Sequence, residues 1–163
     1  MPKKNYHLQS VMNARERAKQ EGARIVAARR AQLADAEAEL ARREGEVLLC
    51  RERQAEAGDR MLQEARGGAG ASQLVGHRTY LADLRRLEEE LAAAVAQQQT
   101  VVARCESDLE IALEGLRETS KEFRVIEKHR EHWHEEQRRE TARREQKLND
   151  ELAAILHERR PTE

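Results

Sequence analysis

The sequence predicts an all-α fold: an antiparallel two-helix coiled-coil hairpin with an overhanging C-terminal helix. Three observations carry this. The 163 residues are 37% charged and only 2% aromatic, and Ala, Glu, Arg, Leu and Gln, all good helix formers, dominate. Apolar residues recur at alternating steps of three and four over many turns, the spacing of a coiled-coil seam. Finally, Gly67, Gly68 and Gly70 form the only strong breaker cluster between Pro2 and Pro161, dividing the chain into two unequal arms. Disorder is the competing reading of so much charge, but disordered chains lack a sustained seam and carry a larger net charge than the −1 found here.

Arm one spans about residues 8–66 of a single 1–163 domain. Val26, Leu33, Leu40 and Val47 recur every seven residues, with Ala36 and Cys50 on the intermediate row. Arg29 and Arg43 share that row, so the seam is imperfect and loosely packed. Gly22, Gly45 and Gly58 each weaken a helix by about 1 kcal/mol relative to Ala, and a bend in this arm is expected. The turn occupies about 67–71, and arm two about 72–157, with Ser72 as its expected N-cap. Its seam is cleaner: Leu91, Val95, Gln98, Val102, Cys105, Leu109, Ala112, Leu116, Thr119, Phe123, Ile126, Arg130 and Trp133. Pro161 limits the helix at its far end.

A turn centred near Gly68 makes antiparallel partners whose numbers total about 138. Residues 106–122, rich in Glu and Asp, then face residues 15–32, rich in Arg and Lys. Exposed ion pairs add little stability each, so this match specifies register. Cys50 faces the region of Glu88 and Cys105 that of Leu33, roughly 25 Å apart along the axis. Disulfide reach is far shorter, and both read as small seam residues with reduced thiols. Trp133 meets the start of arm one near Tyr6 and Leu8, and residues 134–157 have no partner left.

That overhang begins fully polar, with Glu135→Arg139 and Glu140→Arg144 at the favourable helical spacing. It ends amphipathic, with Leu148, Leu152, Ile155 and Leu156 on one face. An apolar tip that docks into another protein is the reading favoured over a patch that folds back onto arm one or self-associates. His129, His132 and Glu136 share a face that could hold zinc, but the charge around them favours a solvated surface. Gly76, His77, Arg78 and Tyr80 offer a contact surface near the turn. The glycine cluster lacks the Gly-Lys-Ser/Thr of a phosphate loop and reads as a reversing turn.

Function classes fall away on chemistry. Thirty basic and 31 acidic residues are interleaved, so neither nucleic acid nor direct membrane insertion is expected. No apolar run nears the roughly 20 residues that span a bilayer. The N-terminus lacks a signal peptide's apolar stretch, which makes a cytoplasmic location the expectation. A two-helix rod offers no pocket to tune catalytic groups, and no nucleophile–base pair is visible. No enzyme activity and no cofactor are expected.

Trp133, the Glu/Arg run behind it, and Arg143-Arg144-Glu145-Gln146-Lys147-Leu148-Asn149-Asp150-Glu151-Leu152-Ala153 resemble the C-terminus of the FliJ/YscO family. The match extends more loosely to the chain length, the central glycine turn and Tyr80-Leu81-x-x-Leu84. The resemblance implies the central stalk of a flagellar or virulence type III export apparatus, similar to the stalk of a rotary ATP synthase. Its paired termini would enter and stimulate a hexameric export ATPase. The other end would reach the membrane-embedded export gate, and some members escort export chaperones. Carried over, Arg143, Arg144, Gln146, Asp150, Glu151 and Leu152 lie at the ATPase end, beside the apolar Leu148 and Ile155. The glycines of arm one depart from this pattern, and no gate-contacting motif is matched.

The alternative is a structural scaffold that dimerises through its long second helix, with the glycine cluster as a flexible joint. A closed hairpin would measure roughly 130 Å, from about 86 residues at 1.5 Å each. An open chain would be markedly longer.

Overall fold

A computed structural model describes residues 5–158. They form two helices, α1 (Gln9–Arg66) and α2 (Ala71–Glu158), packed as an antiparallel hairpin. α1 runs unbroken through Gly22, Gly45 and Gly58, because tertiary pairing outweighs the propensity cost of isolated glycines.

The turn is built from backbone bonds. Ala69 N–H donates to the Glu64 carbonyl (3.0 Å) and Gly68 N–H to that of Ala65 (3.4 Å), a Schellman closure of α1. Gly68 has φ +83°, the left-handed conformation that this closure demands and that glycine adopts without a Cβ clash. α2 then starts one residue earlier than expected. Gly70, not Ser72, is its N-cap: the Gly70 carbonyl accepts from Gln73 N–H (3.0 Å), and the Gln73 side chain accepts from Gly70 N–H (3.2 Å). This is the returning half of a capping box. Ser72 lies inside the first helical turn, where its backbone is already committed.

The contacts group the chain into two units, Arg24–Glu114 and the residues up to Ala23 together with those from Gly115 onward. In the first, Val26, Ala36, Val47, Cys50 and Ala57 of α1 and Leu84 and Gln98 of α2 are buried. Cys50, Ala57 and Leu84 form the core, with Leu81 and Leu91 against it. The α2 seam thus reaches back beyond Leu91, through Leu84 and Leu81. Cys50 donates its thiol to the Leu84 carbonyl at 3.4 Å, and both cysteines are free.

Polar seam residues are tolerated because each finds a partner. Gln98, 7% exposed, donates to the Ala36 carbonyl at 2.9 Å. Arg43 donates to the Ala94 carbonyl (3.0 Å) and to Glu39 (2.8 Å). Arg29 lies 3.5 Å from Asp108. Gln54 bridges the Leu84 carbonyl (3.2 Å) and Glu88 (2.8 Å), and Arg51 joins Glu88 at 2.6 Å. The bonds from Arg51 and Gln54 hold the Glu88 carboxyl below the usual carboxylate range.

In the second unit Tyr6, Met12 and Phe123 are buried. Lys19 lies over the Phe123 ring, 4.9 Å from its centroid, and Arg15 pairs with Glu122 at 2.5 Å. A Cβ at Gly22 would meet Leu116 and Thr119 at 3.4 Å, so the helices approach closely there. Within each unit the cross-helix partners have numbers that total about 138, as the turn position requires. The α2 seam row is met by α1 of the same chain, and the glycine cluster is a closed turn. The scaffold alternative, which needs a flexible joint there, is set aside.

Candidate functional site

Every residue on the α2 seam row from Leu91 to Trp133 is buried or half-buried. Two further members of that row, Gln137 and Glu140, are half-buried as well. Beyond them the helix changes character: each residue from Thr141 to His157 is exposed. Arg143, Arg144, Gln146, Leu148, Asp150, Glu151, Leu152 and Ile155, the residues singled out from sequence, all lie in this stretch.

Two zones succeed each other along the end of α2 from His132 onward. The first is laced with (i, i+4) contacts: Glu135 pairs with Arg139 (2.5 Å), Glu140 with Arg144, and His132 meets Glu136 (3.1 Å). The second is apolar, with Leu148 and Leu152 each 58% exposed, Ile155 48% and Leu156 67%. This apolar face does not continue the hairpin seam. The seam row would pass through Arg144, Lys147, Glu151 and Ala154, whereas Leu148, Leu152, Ile155 and Leu156 centre about a third of a turn around the helix. Glu140, Arg143, Arg144, Gln146, Lys147 and Asp150 line an open depression on α2.

Just before this stretch the N-terminal segment meets α2. Tyr6 stacks against Trp133 with ring centroids 5.5 Å apart, so the expected neighbours meet. The Tyr6 hydroxyl lies 2.7 Å from His129 Nδ1. His7 packs edge-on to His129 (5.8 Å) and His134 to Trp133 (4.9 Å). Of the three residues read from sequence as possible zinc ligands, His132 and Glu136 pair with each other while His129 engages Tyr6 instead; His134 packs on Trp133. Among the described residues no three His, Cys, Asp or Glu side chains converge as a metal site. Sequence reasoning placed Trp133 near Tyr6 but missed the Tyr6–His129 bond, although the same register brings the two together. At the turn, Gly67 and Gly68 close α1 and Gly70 opens α2, while His77 bonds Glu64 at 2.6 Å.

Among the described residues no helix is long and apolar enough to cross a membrane. The profile of the family described as YscO-like protein matches residues 3–162. No curated protein sequence matches the chain. Among solved structures, the chain is similar to that of CT670 from Chlamydia trachomatis, described as a candidate YscO homolog. The TM-score is 0.78 over 95% of this chain and 96% of that one, at 22% identity. That likeness concerns the fold; the family match over nearly the whole chain is what classifies it. The chain belongs to the YscO-like family of type III secretion proteins.

Proposed function

We propose that this chain is the central stalk of its export apparatus, working in the cytoplasm at the inner membrane. In this reading the C-terminal end of α2 binds and stimulates a hexameric export ATPase without itself hydrolysing ATP. The turn end, with Tyr80 and its neighbours, reaches the export gate, and export chaperones are further partners. The observation that carries the reading is the bare helix from Thr141 to His157, exposed on all sides.

The chemistry of that helix suits a ring that closes around it. Two (i, i+4) pairs, Glu135–Arg139 and Glu140–Arg144, neutralise part of the charge at and just before its start, and contacts of its exposed charges with a surrounding sleeve are individually weak and exchangeable. Its apolar end supplies desolvation energy: each Leu or Ile fully covered contributes about 1.5–3 kcal/mol. Arg143, Arg144, Gln146, Asp150 and Glu151 would give the polar specificity around Leu148, Leu152 and Ile155.

The test is reconstitution with the cognate export ATPase. Full-length protein is expected to raise both ATP turnover and oligomerisation. A chain truncated after residue 142 should lose both effects while keeping its helical circular dichroism and its hairpin. An ATPase indifferent to the full-length protein would overturn the proposal, as would equal stimulation by the truncated chain.

A further inference from the structure

We propose that one flank of the hairpin near its turn is a docking groove for an acidic amphipathic helix of another protein. The α1 seam there runs through Val47, Cys50, Gln54, Ala57 and Met61, and that of α2 through Leu74, His77, Leu81 and Leu84, all buried or half-buried. In an antiparallel pair, the positions one and four places beyond Val47, Gln54 and Met61 share a flank with those one and four places beyond Leu74 and Leu81. From Leu48 to Ala65 and from Val75 to Arg85 these positions hold only Leu, Val, Ala or Gly, apart from Arg51, Arg78 and Arg85. Of the chain's 31 acidic residues none falls on this stretch; the next along the two rows are Glu44 and Glu89, at its far edge.

Leu48, Leu62 and Val75 are each more than half exposed. Register sets Leu62 beside Val75, and Leu48 two heptads further along α1, about 21 Å away. A Cβ added to Gly58, between Leu48 and Leu62 on α1, would meet nothing within 4 Å, so another backbone has room to approach. Arg51 is taken by Glu88 at 2.6 Å, whereas Arg78 and Arg85 have no carboxylate partner among the described residues. An apolar row repeating every seven residues fits a helix with a heptad stripe of its own. Covering Arg78 and Arg85 without counter-charge is costly, so that helix must carry carboxylates one heptad apart along its edge. A second copy of this chain cannot supply them from the same flank, because it brings three more arginines and no acid. A polyanion such as nucleic acid would pair with the arginines but leave the three apolar side chains uncovered.

The probe is a labelled synthetic helix of about three heptads, leucine on its seam and glutamate beside it, titrated against the full chain by fluorescence anisotropy. Binding is expected, weakened roughly tenfold when the peptide's leucines become glutamine or its glutamates become lysine. Leu62→Ser with Val75→Ser should weaken it to a similar extent, and both positions are exposed, so the hairpin is retained. Arg78→Glu with Arg85→Glu should reverse the preference toward the lysine peptide. Gly58→Gln favours the helix while filling the groove, and should raise stability in urea yet weaken binding. Failure of the glutamate peptide to bind, or equal binding of the lysine or glutamine peptide, would overturn the groove. So would binding that survives every flank variant and is lost in Leu148→Ser with Leu152→Ser. Self-association in sedimentation that Leu62→Ser with Val75→Ser abolishes would instead make the occupant a second copy and overturn it too. None of these readouts involves the ATPase, so their outcome is separate from that of the reconstitution.

Discussion

Replacing Gly68 and Gly67 one at a time with alanine separates two neighbours that look equivalent in the sequence. At Gly68 the backbone has φ +83°, and an L-residue held there costs about 1–2 kcal/mol. Alanine also restricts the unfolded chain, which offsets about 0.4–1 kcal/mol of that cost. The net loss expected for Gly68→Ala is about 1 kcal/mol, or about 2–4 °C in melting temperature for a chain of this size. At Gly67 the backbone is not left-handed, and an added Cβ would meet only the Gln63 and Glu64 carbonyls at an ordinary 3.5 Å. Gly67→Ala keeps the unfolded-state benefit and should gain about 0.4–1 kcal/mol. The two substitutions are thus expected to move stability in opposite directions. Urea and thermal unfolding followed at 222 nm measure this, and Gly68→Asn should recover part of the loss because Asn tolerates the left-handed region. Equal losses at both positions would refute the Schellman assignment.

Two further outcomes follow from the helices. Gly45→Ala points into open space and should stabilise by about 0.5–1 kcal/mol, whereas Gly22→Ala, pressed at 3.4 Å against Leu116 and Thr119, should gain less or lose; urea titrations compare them, and a larger gain at Gly22 would contradict the close approach. Glu39 is hydrogen-bonded by Arg42 and Arg43, which lower its carboxyl from 4.5 to about 2. A carboxylate shifted down in the folded state contributes stability that is present above its unfolded value and lost as the pH falls through its folded one, here between about pH 4.5 and 2. Carboxyl NMR should find Glu39 titrating well below the other glutamates, and Arg42→Gln should bring it back up; titration of Glu39 at the ordinary value would refute the pairing.

Heptad spacing was legible because it is a local property, written into the order of residues along one strand of chain. Val26, Val47 and Phe123 could be assigned to the seam without knowing what lay opposite. Once a single glycine cluster marks the reversal, the counting of residues on either side leaves one register, and Arg15 with Glu122 or Arg29 with Asp108 follow from it. The bare end of α2 was legible for the same reason, since an arm of 58 residues cannot match one of 88.

What needed the tertiary structure was every property that depends on where a neighbour's atoms sit. Which of the three clustered glycines takes the positive φ is decided by hydrogen bonds to Glu64 and Ala65, and those carbonyls are freed only when α1 ends at Arg66. Gly70 displaces Ser72 as the cap because Gln73 can reach back to it. His129 leaves the zinc-like pattern for Tyr6, 123 residues away, a choice invisible to helical spacing. The rotation of the Leu148–Leu156 face away from the seam is encoded in the helical period; how far each side chain stands clear is a matter of atomic surroundings, with Ile155 48% and Leu156 67% exposed.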